Sequence, residues 1–253
     1  MKVVYKKPAD WTNEEIAGFW DWQSKNVSRQ YQYFTASMAT GIVRILKKKG
    51  LLKGSVLDYG CGTGHLLAQM VNVEKVDFYA LDFSADSIAA TKTRLANKAN
   101  LKQLELVHTL PTPYTNAQFD TITLIETIEH LKDDSLHATL KELYRLLKKG
   151  GKIFITTPFN EDLNRYMNYC PFCHSAFHAM QHMQSFTVES LTALVTSHGF
   201  TVEFCKNTDI EKYKLGKVKY FIKRIMIRLA EQAGVKDTKD NTTPNLVAII
   251  TRD

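Results

Sequence analysis

The chain is predicted to fold as an α/β protein, with an open, mostly parallel sheet of seven strands and helices on both faces. Three observations predict it. From residue 55 onward short apolar runs alternate with runs of helical period, the pattern of parallel strands joined by crossover helices. The first apolar run leads directly into three alternate glycines, Gly60, Gly62 and Gly64. The second ends in an acid, Asp82, eighteen residues after Gly64, where open α/β sheets place ligand-facing groups. With 253 residues, 44% of them hydrophobic and 23% charged, the chain can bury one large core.

Taken in order, Thr12 is predicted to cap a first helix, with Glu15 closing a capping box and Trp11 stapled onto Ile16. A second helix over 36–49 ends at Gly50, which readily takes the left-handed conformation. Strands are expected at 55–59, 77–82, 104–108, 121–126 and 152–157, with helices at 65–71, 86–97 and 135–147 between them. Gly150 and Gly151 stop the last of these helices before its strand. Residues 158–186 lack periodicity and hold a Cys and His cluster, so they are expected to form an insertion. A helix over 187–198 and strands at 201–206 and 246–251 complete the pattern, with a basic segment between those strands. The expected organisation is an N-terminal helical cap over 1–50 and one domain over 51–253, carrying insertions at 158–186 and 211–234.

The glycine loop carries the strongest chemical signal. Asp58-Tyr59-Gly60-Cys61-Gly62-Thr63-Gly64 runs from a strand into a helix, and glycine suits a backbone that turns sharply and approaches a ligand. The motif resembles the first motif of class I S-adenosylmethionine (SAM)-dependent methyltransferases, acidic-x-G-x-G-x-G, which Asp58, Gly60, Gly62 and Gly64 fill. Dinucleotide folds use G-x-G-x-x-G instead, and here His65 stands at the final position. The resemblance spans residues 54–158 well and implies a Rossmann-like seven-stranded sheet that binds SAM. It places Asp58 near the methionine amino group, Asp82 on the ribose hydroxyls and Phe83 beside the adenine. Where the family often has an acid after the third strand, this chain has His108-Thr109-Leu110-Pro111, which leaves adenine recognition to backbone groups and apolar contact. The expected cofactor set is therefore Asp58, Gly60, Cys61, Gly62, Gly64, Asp82, Phe83, Thr109, Leu110 and Glu126.

Glu126 closes the fourth strand, and Glu129-His130-Leu131 follows it, as in small-molecule methyltransferases of this kind. His130 and Glu126 are the expected catalytic residues. His130 reads either as a base for an acceptor hydroxyl or as a histidine bonded to its neighbouring loop. Glu126, Glu129 and His130 could also hold a divalent ion, as in some quinone O-methyltransferases. The insertion supplies a second candidate: Cys170, Cys173, His178 and His182 have spacing near that of a zinc knuckle, with the two histidines facing one way on a helical turn. A structural zinc there would pin the segment and wall the acceptor pocket. The other reading is a reduced cysteine pair beside surface histidines.

Phe19, Trp20, Trp22, Tyr31, Tyr33 and Phe34 precede the sheet and either cover the cofactor and a ring-bearing or lipid-like acceptor or serve as ordinary core. The net charge of +7 is matched by seven basic residues and no acid between Lys212 and Arg228. A helix there, with Val218, Ile222, Ile225 and Leu229 on one face, could dock on the globule, lie on an anionic membrane or touch nucleic acid. No apolar run of about eighteen residues and no signal-like start at Met1 to Lys7 is present, so a cytoplasmic protein is expected. The functional expectation is methyl transfer from SAM to a small-molecule or lipid-like acceptor, at oxygen. The alternatives are an RNA or protein methyltransferase and a non-catalytic SAM-fold binding module.

Overall fold

A computed structural model describes residues 11–172, 174–232 and 245–253. The helices are α1 (Asn13–Lys25), α2 (Val27–Gln30), α3 (Phe34–Lys48), α4 (His65–Met70), α5 (Ala85–Arg94), α6 (Asp133–Leu146), α7 (Val188–Ser197), α8 (Glu211–Leu215) and α9 (Lys217–Gln232). The strands are β1 (Gly54–Tyr59), β2 (Val76–Asp82), β3 (Leu101–Leu106), β4 (Phe119–Ile125), β5 (Leu147–Pro158), β6 (Met167–Tyr169), β7 (Ala176–His178), β8 (Phe200–Thr208) and β9 (Asn245–Arg252).

Seven strands form one sheet in the order β3-β2-β1-β4-β5-β9-β8. The pairs among β1 to β5 are parallel, and β9 runs antiparallel to both of its neighbours. Successive side chains leave a strand on opposite faces, and the core divides accordingly. Val56, Ile125, Phe154 and Ile249 point into one buried cluster with α3, α4 and α5. Leu57, Leu124, Ile153, Ile155 and Ile250 point into the other, with α6 and α7. The strand order reverses between β1 and β4, so the chain leaves the sheet in opposite directions there and opens a crevice beyond the strand ends.

Some boundaries differ from expectation. The third strand begins at Leu101 and ends at Leu106, because its partners on β2 run from Phe78 to Asp82; register with a neighbour, not local pattern, sets an edge strand. Helix α6 ends at Leu146, and β5 begins immediately with Leu147 opposite Phe119. Gly150 and Gly151 therefore lie inside the strand segment, at a break in its register, and do not stop the helix. The basic run is two helices rather than one, split at Gly216, whose φ of 79° no helix allows. The expected end of that segment at Gly234 lies outside the described residues, as does the start at Met1 to Lys7.

At the N-terminus Thr12 and Glu15 form the expected capping box, and Trp11 packs edge-on against Phe19. Helix α3 buries Ile42, Ile45 and Leu46 in the core. Helix α1 is tied over the end of β2 instead, through Ser24 Oγ to Ser87 Oγ at 2.7 Å and Ser84 Oγ to Asp21 Oδ1 at 2.7 Å.

Candidate active site

A cavity of about 1480 Å³ lies beyond the ends of β1, β2 and β4, under α1 and the insertion. Pockets for one small ligand usually hold about 300–1,000 Å³, so this one has room for a nucleoside-sized donor and an acceptor together. Of the expected cofactor set, Asp58, Gly60, Cys61, Gly62, Asp82, Phe83, Thr109, Leu110 and Glu126 line it.

Gly64 does not line it. A Cβ there would sit 2.8 Å from Thr91 Oγ1, so this glycine lets the loop pack on α5. Gly60 has a similar reason, since its Cβ would lie 2.7 Å from Thr127 Oγ1. Only Gly62 leaves its Cβ direction nearly open, with Tyr33 at 4.0 Å. All three have positive φ, a region that other residues enter at a cost.

The loop is held by the acid expected to bind ribose. Asp82 accepts hydrogen bonds from the Gly62 N–H at 2.8 Å and the Ser84 N–H at 2.9 Å. One carboxylate offers about four acceptor positions, so Asp82 can shape the loop and still receive ribose hydroxyls. Asp58 accepts from Thr123 Oγ1 at 2.7 Å. Burial pushes Asp58 up to about 7, partly offset by the Thr123 hydroxyl. It pushes Asp82 up to about 6, with the backbone N–H groups working the other way. Two buried acids whose ionised forms await a cation suit a ligand with an ammonium and a sulfonium charge.

The far end of the cavity is built by the turn after β4 and the return of the insertion. Met183 and Gln184 donate their N–H groups to the Glu129 carbonyl at 2.8 and 3.0 Å. This clamp brings His182 to His130, whose rings lie 4.8 Å apart. Glu126 takes a φ of 46°, a strained conformation of the kind that persists where surrounding structure enforces it. Its carboxyl accepts from Thr156 Oγ1 at 2.8 Å and Asn245 Nδ2 at 3.1 Å, and burial raises it to about 7. Glu129 is buried, with Oε2 accepting from Thr157 Oγ1 at 3.0 Å while Oε1 has no partner among the described residues. Burial, and then the charge of Glu126, push it well above the usual carboxylate range. His130 turns Nδ1 to the Gln181 carbonyl at 3.5 Å, and its Nε2 stands 4.0 Å from Glu129 Oε1. Burial, then His182, hold it well below its usual value, so its neutral form prevails.

Of the zinc set read from the sequence, Cys170, His178 and His182 do not converge on one point among the described residues. Cys170 lies at the turn of the β6–β7 hairpin, where its N–H bonds the Ser175 carbonyl, and Cys173 lies outside the described residues. His178 ends strand β7, so it and His182 share no helical turn. Their rings still stack at 4.5 Å, but around Glu161. Glu161 accepts from His182 Nδ1, and His178 Nε2 stands 3.7 Å from the same carboxylate. His178 Nδ1 accepts the His182 N–H at 3.2 Å, so its proton sits on Nε2 and it is poorly suited to bind a metal there. The side chains of Glu129, His130 and His182 converge closely enough to hold one ion; those of Glu161, His178 and His182 lie as close, but the proton on His178 Nε2 stands against an ion there.

Trp20 and Tyr33 complete the wall, with Trp20 4.8 Å from the His130 ring and donating to Gln181 Oε1 at 2.7 Å. Trp22 and Tyr31 are instead exposed. Sequence reasoning missed Glu161 and Gln181, which carry no motif; only their position in the folded insertion marks them.

Residues 29–203 match the family described as "Methyltransferase domain". The chain is 28% identical over 181 residues to an uncharacterized methyltransferase of Anoxybacillus flavithermus, covering 69% of this chain and 81% of that one. It is 26% identical over 112 residues to a ubiquinone biosynthesis O-methyltransferase of Pseudomonas fluorescens, where the match covers 44% of this chain and 47% of the relative, about half its length. Among solved structures, a DhpI–SAH complex superposes with a TM-score of 0.62 at 16% identity, covering 95% of this chain and 96% of that one.

Proposed function

Given that this chain belongs to the class I SAM-dependent methyltransferases, we propose that it methylates a hydroxyl of a small-molecule or lipid-like acceptor, with His130 as the base. The observation that carries this reading is the neutral His130 ring in the wall of a cavity large enough for donor and acceptor. SAM supplies an electrophilic methyl group on a sulfonium. In this reading Asp82 takes the ribose hydroxyls, Asp58 the amino end, and Gly62 lets the backbone come close. The residues fit: buried Asp58 answers the ligand's amino group, Asp82 has acceptor positions for the ribose hydroxyls, and the loop glycine whose Cβ direction is nearly open lines the cavity.

Positioning a nucleophile in line supplies much of the rate of such a displacement. What remains is the acceptor proton, which a neutral imidazole can receive at Nε2. Glu161 keeps His182 oriented beside it, and Trp20 of α1 packs edge-on against the His130 ring. The match to a ubiquinone biosynthesis O-methyltransferase supports oxygen as the target and a ring-bearing, lipid-like acceptor.

A second reading rests on the unpartnered Glu129 Oε1. Glu129, His130 and His182 would hold a divalent ion, with Glu161 orienting His182 as an outer carboxylate. The ion would supply Lewis-acid polarisation of the acceptor oxygen.

His130→Ala is expected to lower kcat on a catechol-type or quinol acceptor about 10²–10⁴-fold, with the SAM dissociation constant unchanged in calorimetry. An unchanged kcat overturns the assignment. A rate that vanishes with chelator and returns with Mg²⁺ or Zn²⁺ selects the second reading.

A further inference from the structure

Helix α9 stands on the globule by one side only. Tyr220 donates its hydroxyl to Asp209, and Lys223 Nζ bonds both oxygens of Glu211 at 2.7 and 2.8 Å. At about 100° per residue, the opposite side collects Val218, Phe221, Ile222, Ile225, Met226 and Leu229, which are 42% to 72% exposed. In a folded protein such side chains normally face inward, and a continuous exposed stripe of them marks a contact surface. Lys219 flanks the stripe on one side and Lys217 and Arg228 on the other, all exposed. No acid occurs between Lys212 and Ala230.

We propose that α9 lies in the plane of an anionic lipid surface, with its apolar stripe in the acyl-chain boundary and Lys217, Lys219 and Arg228 at headgroup phosphates. The arrangement of charge selects this occupant. A second copy seated on the same face would bring two sets of these cations together, which is repulsive. Nucleic acid phosphates would satisfy the cations and leave six apolar side chains in water. A bilayer interface answers both at once, since amphipathic helices with basic flanks bury the apolar face about 5–10 Å deep. Among the described residues no helix is long and apolar enough to cross a membrane, so α9 rests on the surface. Lys214 of α8 and Lys223 of α9 also line the cavity, so the docked helix sets the cavity mouth beside the lipid. The inference rests on α9 alone and holds whatever acceptor the cavity takes.

The test is co-sedimentation of the full chain with vesicles of phosphatidylcholine, alone or mixed equally with phosphatidylglycerol. Binding is expected on the mixed vesicles, weak on phosphatidylcholine, and reduced by salt. Ile222→Asp should weaken it about tenfold or more, and Lys219→Glu by at least about fivefold, both with unchanged melting temperature because the sites are exposed. Equal binding to both vesicle types, or full binding by Ile222→Asp, overturns the proposal. So does a dimer in analytical ultracentrifugation that Ile222→Asp dissolves while vesicles capture nothing, or binding to mixed RNA that Ile222→Asp leaves intact.

Discussion

At the glycine-loop end of the cavity the acids are already at work in the fold: Asp82 holds the Gly62 and Ser84 N–H groups, and Asp58 holds Thr123. At the histidine end, by contrast, the titratable side chains themselves are incompletely paired: Glu129 Oε1 and His178 Nε2 are buried with no hydrogen-bond partner among the described residues, whereas in the glycine loop it is the Thr63 hydroxyl that lacks one. A buried polar atom left unpaired costs about 1–3 kcal/mol, so the two ends carry their costs differently. The first spends its hydrogen bonds on a preformed loop, ready for a ligand it need not reshape. The second keeps atoms unsatisfied until an acceptor or ion arrives. In the proposed function the first end would receive the shared donor and the second the particular acceptor.

The largest break in that comparison should come from paired substitutions at its two ends. Asp82→Ala removes the acceptor of two backbone donors and is expected to weaken SAM binding about a hundredfold in calorimetry, with a lowered melting temperature. Glu129→Gln keeps a neutral group where burial already disfavours the charge, so its melting temperature should stay within about 3 °C of the parent. A large loss of stability in Glu129→Gln would make that end as structural as the other.

A smaller effect separates two glycines of one loop. Gly60→Ala drives a Cβ against Thr127 and should cost stability by about 2 kcal/mol, since overpacking adds to left-handed strain. Gly62→Ala meets almost nothing, so its cost in stability is the strain alone, about 1 kcal/mol. Its Cβ enters the cavity, so it should lose SAM affinity more than stability. Melting curves with and without SAM distinguish the two, and identical profiles would erase the division of roles.

The smallest expected effect is on pH. Asp58, Asp82 and Glu126 are raised to about 7, 6 and 7 by burial, so the folded state binds more protons than the unfolded one over that range. Stability of the free protein is then greatest near the ordinary carboxylate values and falls as pH climbs towards 7. Acids with lowered values, Asp120, Glu142 and Glu203, act the opposite way below about pH 4.5, and the lowered His65, His130 and His178 oppose the fall up to about pH 6.5, which leaves a small net slope. Between about pH 5 and pH 7 a loss of about 1 kcal/mol, or 2–4 °C, is expected. Asp58→Asn should flatten part of that slope, and SAM should raise the melting temperature more at the upper end, where its cationic groups meet ionised acids. A slope of opposite sign would show these acids to be better solvated than their burial implies.

The sheet and the loop were legible because local chemistry determines them. Alternating apolar runs can be buried on both faces only between helices, and three positive-φ positions after a strand call for glycine. Asp82 followed from the end of its strand, and Asp58 from the glycine motif that the chain resembles. The zinc set is the complementary case. Spacing in the chain says little about a segment without periodicity, and it paired His178 and His182 with Cys170, which does not converge with them among the described residues.

By itself the sequence determined a parallel sheet with a glycine turn, an acid at each of three strand ends, and a basic stretch late in the chain, since each depends on neighbours within a few residues. Only the tertiary structure decided that Gly60 and Gly64 serve packing on Thr127 and Thr91, that Glu161 orients His182, and that the apolar side of α9 faces outward. Those outcomes depend on contacts between segments distant in the chain, where burial and the direction of a lone pair are set by whichever element folds against them.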